Sequence, residues 1–141
     1  MVGEKGRWME HYRAGGRPTR SASDAYFTGT VFQDPIVQTP APARLQAVRV
    51  TFLPGSRTNW HTHPLGQTLY VVSGVGRFQT DGQGLVEIRA GDTVWIPPGE
   101  RHWHGAGLET AMCHIAMQEG LDGVYADWQE PVSEADYGRQ P

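Results

Sequence analysis

Cysteine is nearly absent from this chain of 141 residues: Cys113 stands alone, so no internal disulfide can form and a reducing compartment is expected. Long apolar runs are missing as well. No stretch approaches the roughly 18 residues that a membrane helix needs. The first residues, Met1 to Trp8, lack the apolar centre of a secretory signal, so a cytoplasmic chain is the expectation. Charge of one sign is scarce too: Lys and Arg number 12, Asp and Glu 15, for a formal net charge of −3 with no basic cluster. That balance offers nothing to nucleic acid or anionic lipid and leaves small molecules as partners. Internal repeats and low-complexity segments do not occur. Helix and strand patterns do not alternate, which argues against a nucleotide-binding α/β sheet.

What is abundant is glycine and proline, 18 and 10 residues, most of them at turn positions. They suit many short strands rather than long helices. The length fits one domain with a single core, spanning residues 25–141 after a loose polar arm at 1–24. Residues 26–32 read as a strand that pairs beyond its own barrel, a candidate element for a homodimer or homotetramer, and a proline-punctuated connection follows through Pro35, Pro40 and Pro42. Residues 45–53 read as the first core strand, with Val48, Val50 and Phe52 on one face. Further strands are expected over 68–73, 76–80, 85–89, 93–96, 102–105 and 111–118, with a turn at Asp81-Gly82. This spacing predicts an all-β sandwich or barrel. Near the end, residues 131–136 read as a short helix with Ser133 as its N-cap.

Two histidine clusters, His61-Thr62-His63 and His102-Trp103-His104, carry the chemistry. Alternate residues on a strand share a face, so His61 and His63 point the same way, about 7 Å apart. Gln67 follows a Pro-Leu-Gly break and can turn back toward them, while His102 arrives from a second strand after Pro97-Pro98-Gly99. Three imidazoles and one amide oxygen then face one point. Gln67 either coordinates there or hydrogen-bonds a ligand histidine. Octahedral coordination by four protein groups leaves two open positions, the mark of a catalytic rather than a structural ion.

His104 shares the face of His102 and reads as an orienting neighbour. His114 shares a face with Met112, Ala116 and Gln118; it reads as a proton acceptor beside the open positions, or as a residue that only orients a ligand. The pocket wall is expected from Val48, Val50, Leu69, His104, Met112, Ala116 and Gln118. Trp60 and Trp103 fall on the opposite face and Cys113 alternates with His114, so all three read as packing residues.

The stretch from Gly55 to Gly74 follows the pattern Gly-x5-His-x-His-x3-Glu-x6-Gly, and that from Gly91 to Ala106 follows Gly-x5-Pro-x-Gly-x2-His-x3-Asn. Over residues 44–118 the chain therefore resembles the cupin family, with Gln67 in place of the glutamate and Ala106 in place of the asparagine. Longer strings, Tyr26-Phe-Thr-Gly-Thr-Val31, Trp60-His-Thr-His-Pro-Leu-Gly-Gln-Thr-Leu69, Pro98-Gly-Glu-Arg-His-Trp-His-Gly-Ala106 and the tail His114-Ile-Ala-Met-Gln118, resemble the small bacterial cupins that include manganese-dependent (R)-selective hydroxynitrile lyases.

That resemblance implies a homo-oligomeric jelly-roll barrel with manganese on His61, His63, Gln67 and His102, iron, nickel or zinc being alternatives. It further implies His114 as acceptor of a cyanohydrin hydroxyl proton. Two other readings accompany the lyase: a metal-dependent dioxygenase or isomerase of a small enolisable substrate, and a non-catalytic module that captures a small anion.

Overall fold

The computed structural model describes residues 8–141, and its regular structure is almost wholly strand, with one short helix. Strands are numbered in chain order. One side of the fold runs β1 (Arg20–Ser21), β3 (Val31–Gln38), β4 (Leu45–Phe52), β11 (Met112–Glu119) and the first half of β7 (Gln67–Thr80), with β9 (Thr93–Ile96) on the far side of β7. The other side joins the second half of β7 to β8 (Val86–Arg89) and β10 (His102–Ala106). Beyond β10 lie β5 (Arg57–Thr58) with β2 (Phe27–Thr28), and β6 (His61–Thr62) with β12 (Asp127–Trp128). Every strand pair is antiparallel, and β7 belongs to both sides.

That shared strand is why the sheet curls. The sequence suggests separate strands over 68–73 and 76–80; they are one strand of 14 residues that turns at Gly74. Its φ of +81° is left-handed, and a Cβ there would strike the carbonyl of Ala111, so only glycine allows the passage. The opposite correction applies to residues 26–32. They form two strands, β2 and β3, broken at Gly29 (φ +87°), where a Cβ would collide with Ser56. β3 then runs straight through Pro35, where a connection is expected from sequence. A register shift between Pro35 and Val37 accommodates the missing N–H.

Part of the outer edge of β3 is taken within the chain. Arg20 and Ser21, from the arm expected to be loose, pair with Gln33 and Phe32 at the start of the strand. Residues 1–7 of that arm lie outside the described residues.

The inward faces of β3, β4, β7, β10 and β11 pack Val31, Val50, Phe52, Val71, Ala106 and Met112 with Phe27 and Ile88 at the closed end of the barrel. Full burial of one such side chain contributes about 2 kcal/mol of transfer free energy. A second cluster holds Trp60, Leu85, Trp103, Val132 and Tyr137 outside the barrel wall, the packing role expected for Trp60 and Trp103. It lies under the helix Glu134–Tyr137, whose N-cap Ser133 accepts from the Asp136 N–H at 3.1 Å. The Tyr137 hydroxyl donates to the Ala106 carbonyl at 2.6 Å and fastens the helix to β10.

Candidate metal centre

Register brings the two histidine clusters together. β6 and β10 are antiparallel with His102 directly opposite His61, so their ring centroids lie 4.2 Å apart. His63, just past β6, has its ring 5.0 Å from that of His61 and 5.5 Å from that of His102.

Each of these rings is held by a backbone carbonyl. His61 Nδ1 donates to Asn59 O at 2.8 Å, His63 Nδ1 to Tyr125 O at 2.7 Å, and His102 Nδ1 to Glu100 O at 2.8 Å. A carbonyl can only accept, so every Nδ1 carries the proton and every Nε2 presents a lone pair. Burial reinforces this by penalising the imidazolium. It holds His102 at about 4, pushes His61 well below the usual histidine value with help from its two neighbours, and lowers His63.

Gln67 completes the group. Its Nε2 donates to Gln118 Oε1 at 2.8 Å, which leaves its Oε1 turned inward, 3.2 Å from His102 Nε2. Two acceptors thus face each other with no proton to share, and His63 Nε2 is buried without a hydrogen-bond partner. A cation among these atoms would satisfy all of them at once, and buried lone pairs left facing one another would be costly. The residues therefore fit a metal ion.

His104 stands beside this group but is held differently. Its Nδ1 lies 2.9 Å from His114 Nε2, and its own Nε2 has no hydrogen-bond partner. By distance between ring nitrogens alone, His61, His102 and His104 form a compact trio, all within 4.8 Å of one another. An imidazole partner can give or take a proton, so His104 and His114 are free to exchange tautomers as the carbonyl-clamped rings are not. Both are fully buried: burial holds His114 at about 4, and pushes His104 well below the usual value, with the proximity of His114 adding to it.

A cavity of about 590 Å³ opens onto His61, His63, Gln67, His104 and His114, with His102 behind them. Of the residues expected at the pocket, Val48, Val50, His104, His114, Ala116 and Gln118 lie along its wall. Leu69 and Met112 do not, although they share the inward face. Leu69 is sealed between Ile96 and Ala116, and Met112 packs over Gly76 at the closed end. Alternation assigns a face but not a depth.

Several lining residues missed in the sequence come from segments too short or irregular to show a period, while Gln33, Gln46 and Phe52 lie on the long strands β3 and β4. Among the former, Tyr125 sits just past the turn that follows β11, and Trp128 on β12 stacks on His61 at 4.5 Å and on Tyr26 at 4.9 Å. Thr58 on β5 and Phe52, whose ring meets that of His114 edge-on at 5.2 Å, complete the floor. Cys113 points away, packed against Arg49 Nε at 3.2 Å, and takes no part.

A family profile described as a cupin domain matches residues 48–116. The chain is 51% identical over 131 residues to an (R)-mandelonitrile lyase of Granulicella tundricola, an alignment covering 93% of this chain and all of the relative. It is 30% identical over 96 residues to an acireductone dioxygenase of Parasynechococcus marenigrum, covering 66% of this chain and 49% of that longer protein. Among solved structures, a cupin-like protein of Thermotoga maritima superposes with a TM-score of 0.79 at 36% identity, over 83% of this chain and 89% of the other.

Proposed function

Because the chain belongs to the cupin family, we propose that its barrel is a metal-dependent lyase that reversibly splits a cyanohydrin into an aldehyde and hydrogen cyanide. The observation that carries this reading is a neutral, fully buried imidazole, His114, facing the same cavity as a set of clamped Nε2 lone pairs.

The ligand set we assign is His61, His63, Gln67 and His102. The three histidines share the carbonyl clamp that fixes a ligand tautomer, and His104 lacks it. Three imidazoles and an amide oxygen are all neutral and suit Mn(II), with Fe(II), Ni(II) or Zn(II) as alternatives. Such an ion, when bound, supplies uncompensated positive charge for the cyanide that leaves.

His114 takes the hydroxyl proton at whichever nitrogen carries the lone pair. If His114 Nε2–H donates to His104 Nδ1, the free acceptor is His114 Nδ1, which has no hydrogen-bond partner of its own. In that tautomer of the pair His114 Nδ1 is the base. Val48, Val50, Phe52 and Ala116 give the substrate chain an apolar berth, and the cavity volume accommodates an aryl ring.

Manganese-loaded protein is expected to convert mandelonitrile to benzaldehyde, and to form the (R)-cyanohydrin in reverse, read by absorbance and chiral chromatography. The dioxygenase relative supports a second reading, in which an enolisable substrate consumes oxygen. Oxygen uptake with such a substrate, and no cleavage of several aromatic and aliphatic cyanohydrins, would reverse the order of the two.

The neutral ligand set makes its own prediction. Gln67→Glu keeps an oxygen at the site and is expected to preserve or tighten metal binding. It adds a negative charge at close range in a poorly screened cavity, so affinity for added cyanide or azide falls. Anion titrations of metal-loaded protein read this directly; unchanged affinity would mean that Gln67 does not coordinate.

A further inference from the structure

Three glutamines stand in one row across three adjacent strands. Gln46 on β4 is the register partner of Gln118 on β11, and Gln118 is the register partner of Gln67 on β7. All three line the cavity, and their carboxamides are joined head to tail. Gln67 Nε2 donates to Gln118 Oε1 at 2.8 Å, and Gln118 Nε2 donates to Gln46 Oε1 at 2.7 Å.

The row has a direction. A carboxamide presents its oxygen on one side only, so the choice made at one end is passed along. Gln46 offers an oxygen; Gln118 must then turn its nitrogen to Gln46 and its oxygen to Gln67. Gln67 must turn its nitrogen to Gln118, and its own oxygen is left for the histidines, 3.2 Å from His102 Nε2. Reversing any member would present an N–H₂ group to the ion, which cannot coordinate. Gln46 is only half-buried and also faces a second hollow of about 560 Å³ at the surface, so the row runs from the ligand group to the outer wall.

We propose that Gln46 is a positioning residue for the metal centre, acting through Gln118 to hold the Gln67 amide with its oxygen toward the ion. This rests on Gln67 being a ligand. In chemical terms the amide row braces Gln67 from behind: with Gln46 Oε1 turned to Gln118, the Gln67 oxygen is the atom left to face inward.

The test is a coupling measurement of Mn(II) affinity by competition with a fluorescent chelator. Gln46→Met removes the terminal acceptor without adding charge; Gln46→Glu keeps the acceptor. Each is made in the native chain and in a Gln67→Ala chain. Gln46→Met is expected to weaken Mn(II) binding about tenfold in the native chain, at the low end of what outer partners of metal ligands contribute. It is expected to do nothing in the Gln67→Ala chain, where no amide remains to orient. Gln46→Glu restores the affinity lost in Gln46→Met, and its gain in the Gln67→Ala chain measures the plain effect of added charge.

Equal loss from Gln46→Met in both chains, or no loss in the native one, overturns the proposal while leaving Gln67 a ligand. Unchanged affinity on Gln67→Ala alone removes Gln67 from the ligand set and the proposal with it. Should Gln46→Met not fold, Gln46→Leu removes the same acceptor and carries the same expectations.

Discussion

Replacing His102 by alanine is expected to abolish stoichiometric metal binding, and His63→Ala to do the same. His102 sits at the start of β10 opposite His61, and the nearby His104 lacks the carbonyl clamp that fixes a ligand tautomer. Even outer partners of metal ligands are worth about 10–100-fold in affinity, so loss of an inner ligand should exceed 100-fold. Elemental analysis after dialysis against a chelator reads the result; full occupancy in both variants would sink the assignment. Acid should act in the same direction. With His102 held at about 4, its lone pair stays free as pH falls through the ordinary histidine range and is lost only as that value is approached. Metal is therefore expected to be retained at pH 6 and released on titration toward pH 4, the sign that a lowered folded-state pKa requires.

The second large effect belongs to His114. His114→Ala is expected to keep the metal and lose about 10²–10⁴-fold in cyanohydrin turnover, the usual contribution of a general base. Metal retention is expected because His114 touches His104 rather than the clamped rings. A base must be deprotonated to act, and burial holds His114 at about 4. The acid limb of kcat/KM should therefore lie near that value and not near 6.5, with a plateau through neutral pH. Intact metal with unchanged turnover would remove His114 from the chemistry and favour the dioxygenase reading.

Much of this was legible because period and spacing are local properties. The alternation of His61 with His63, the Pro-Pro-Gly turn before His102 and the Ser133 cap all follow from neighbouring residues, and the fold places them as the sequence suggests. Depth was not legible. Leu69 and Met112 share a face with cavity residues yet are sealed, because what covers them, Ile96 and the surface at Gly76, arrives from strands remote in sequence.

Nor could the sequence show Gly29 breaking one strand while Gly74 keeps another continuous, since each follows a hydroxyl residue within a β-rich stretch. The difference lies in what each backbone meets, Ser56 in one case and Ala111 in the other. The glutamine row is likewise invisible without register: Gln46, Gln67 and Gln118 are scattered in sequence and become neighbours only when β4, β7 and β11 pair.

The carbonyl that fixes the His63 ring belongs to Tyr125, in the short irregular segment between β11 and β12 that also walls the cavity. One stretch of chain thus serves as doorpost and as brace for a ligand. The two duties are thermodynamically reciprocal: whatever free energy an ion gains from a braced His63 is returned as resistance to displacing that segment. An ion held by His63 would feel a change at that rim through the one hydrogen bond from His63 Nδ1 to Tyr125 O.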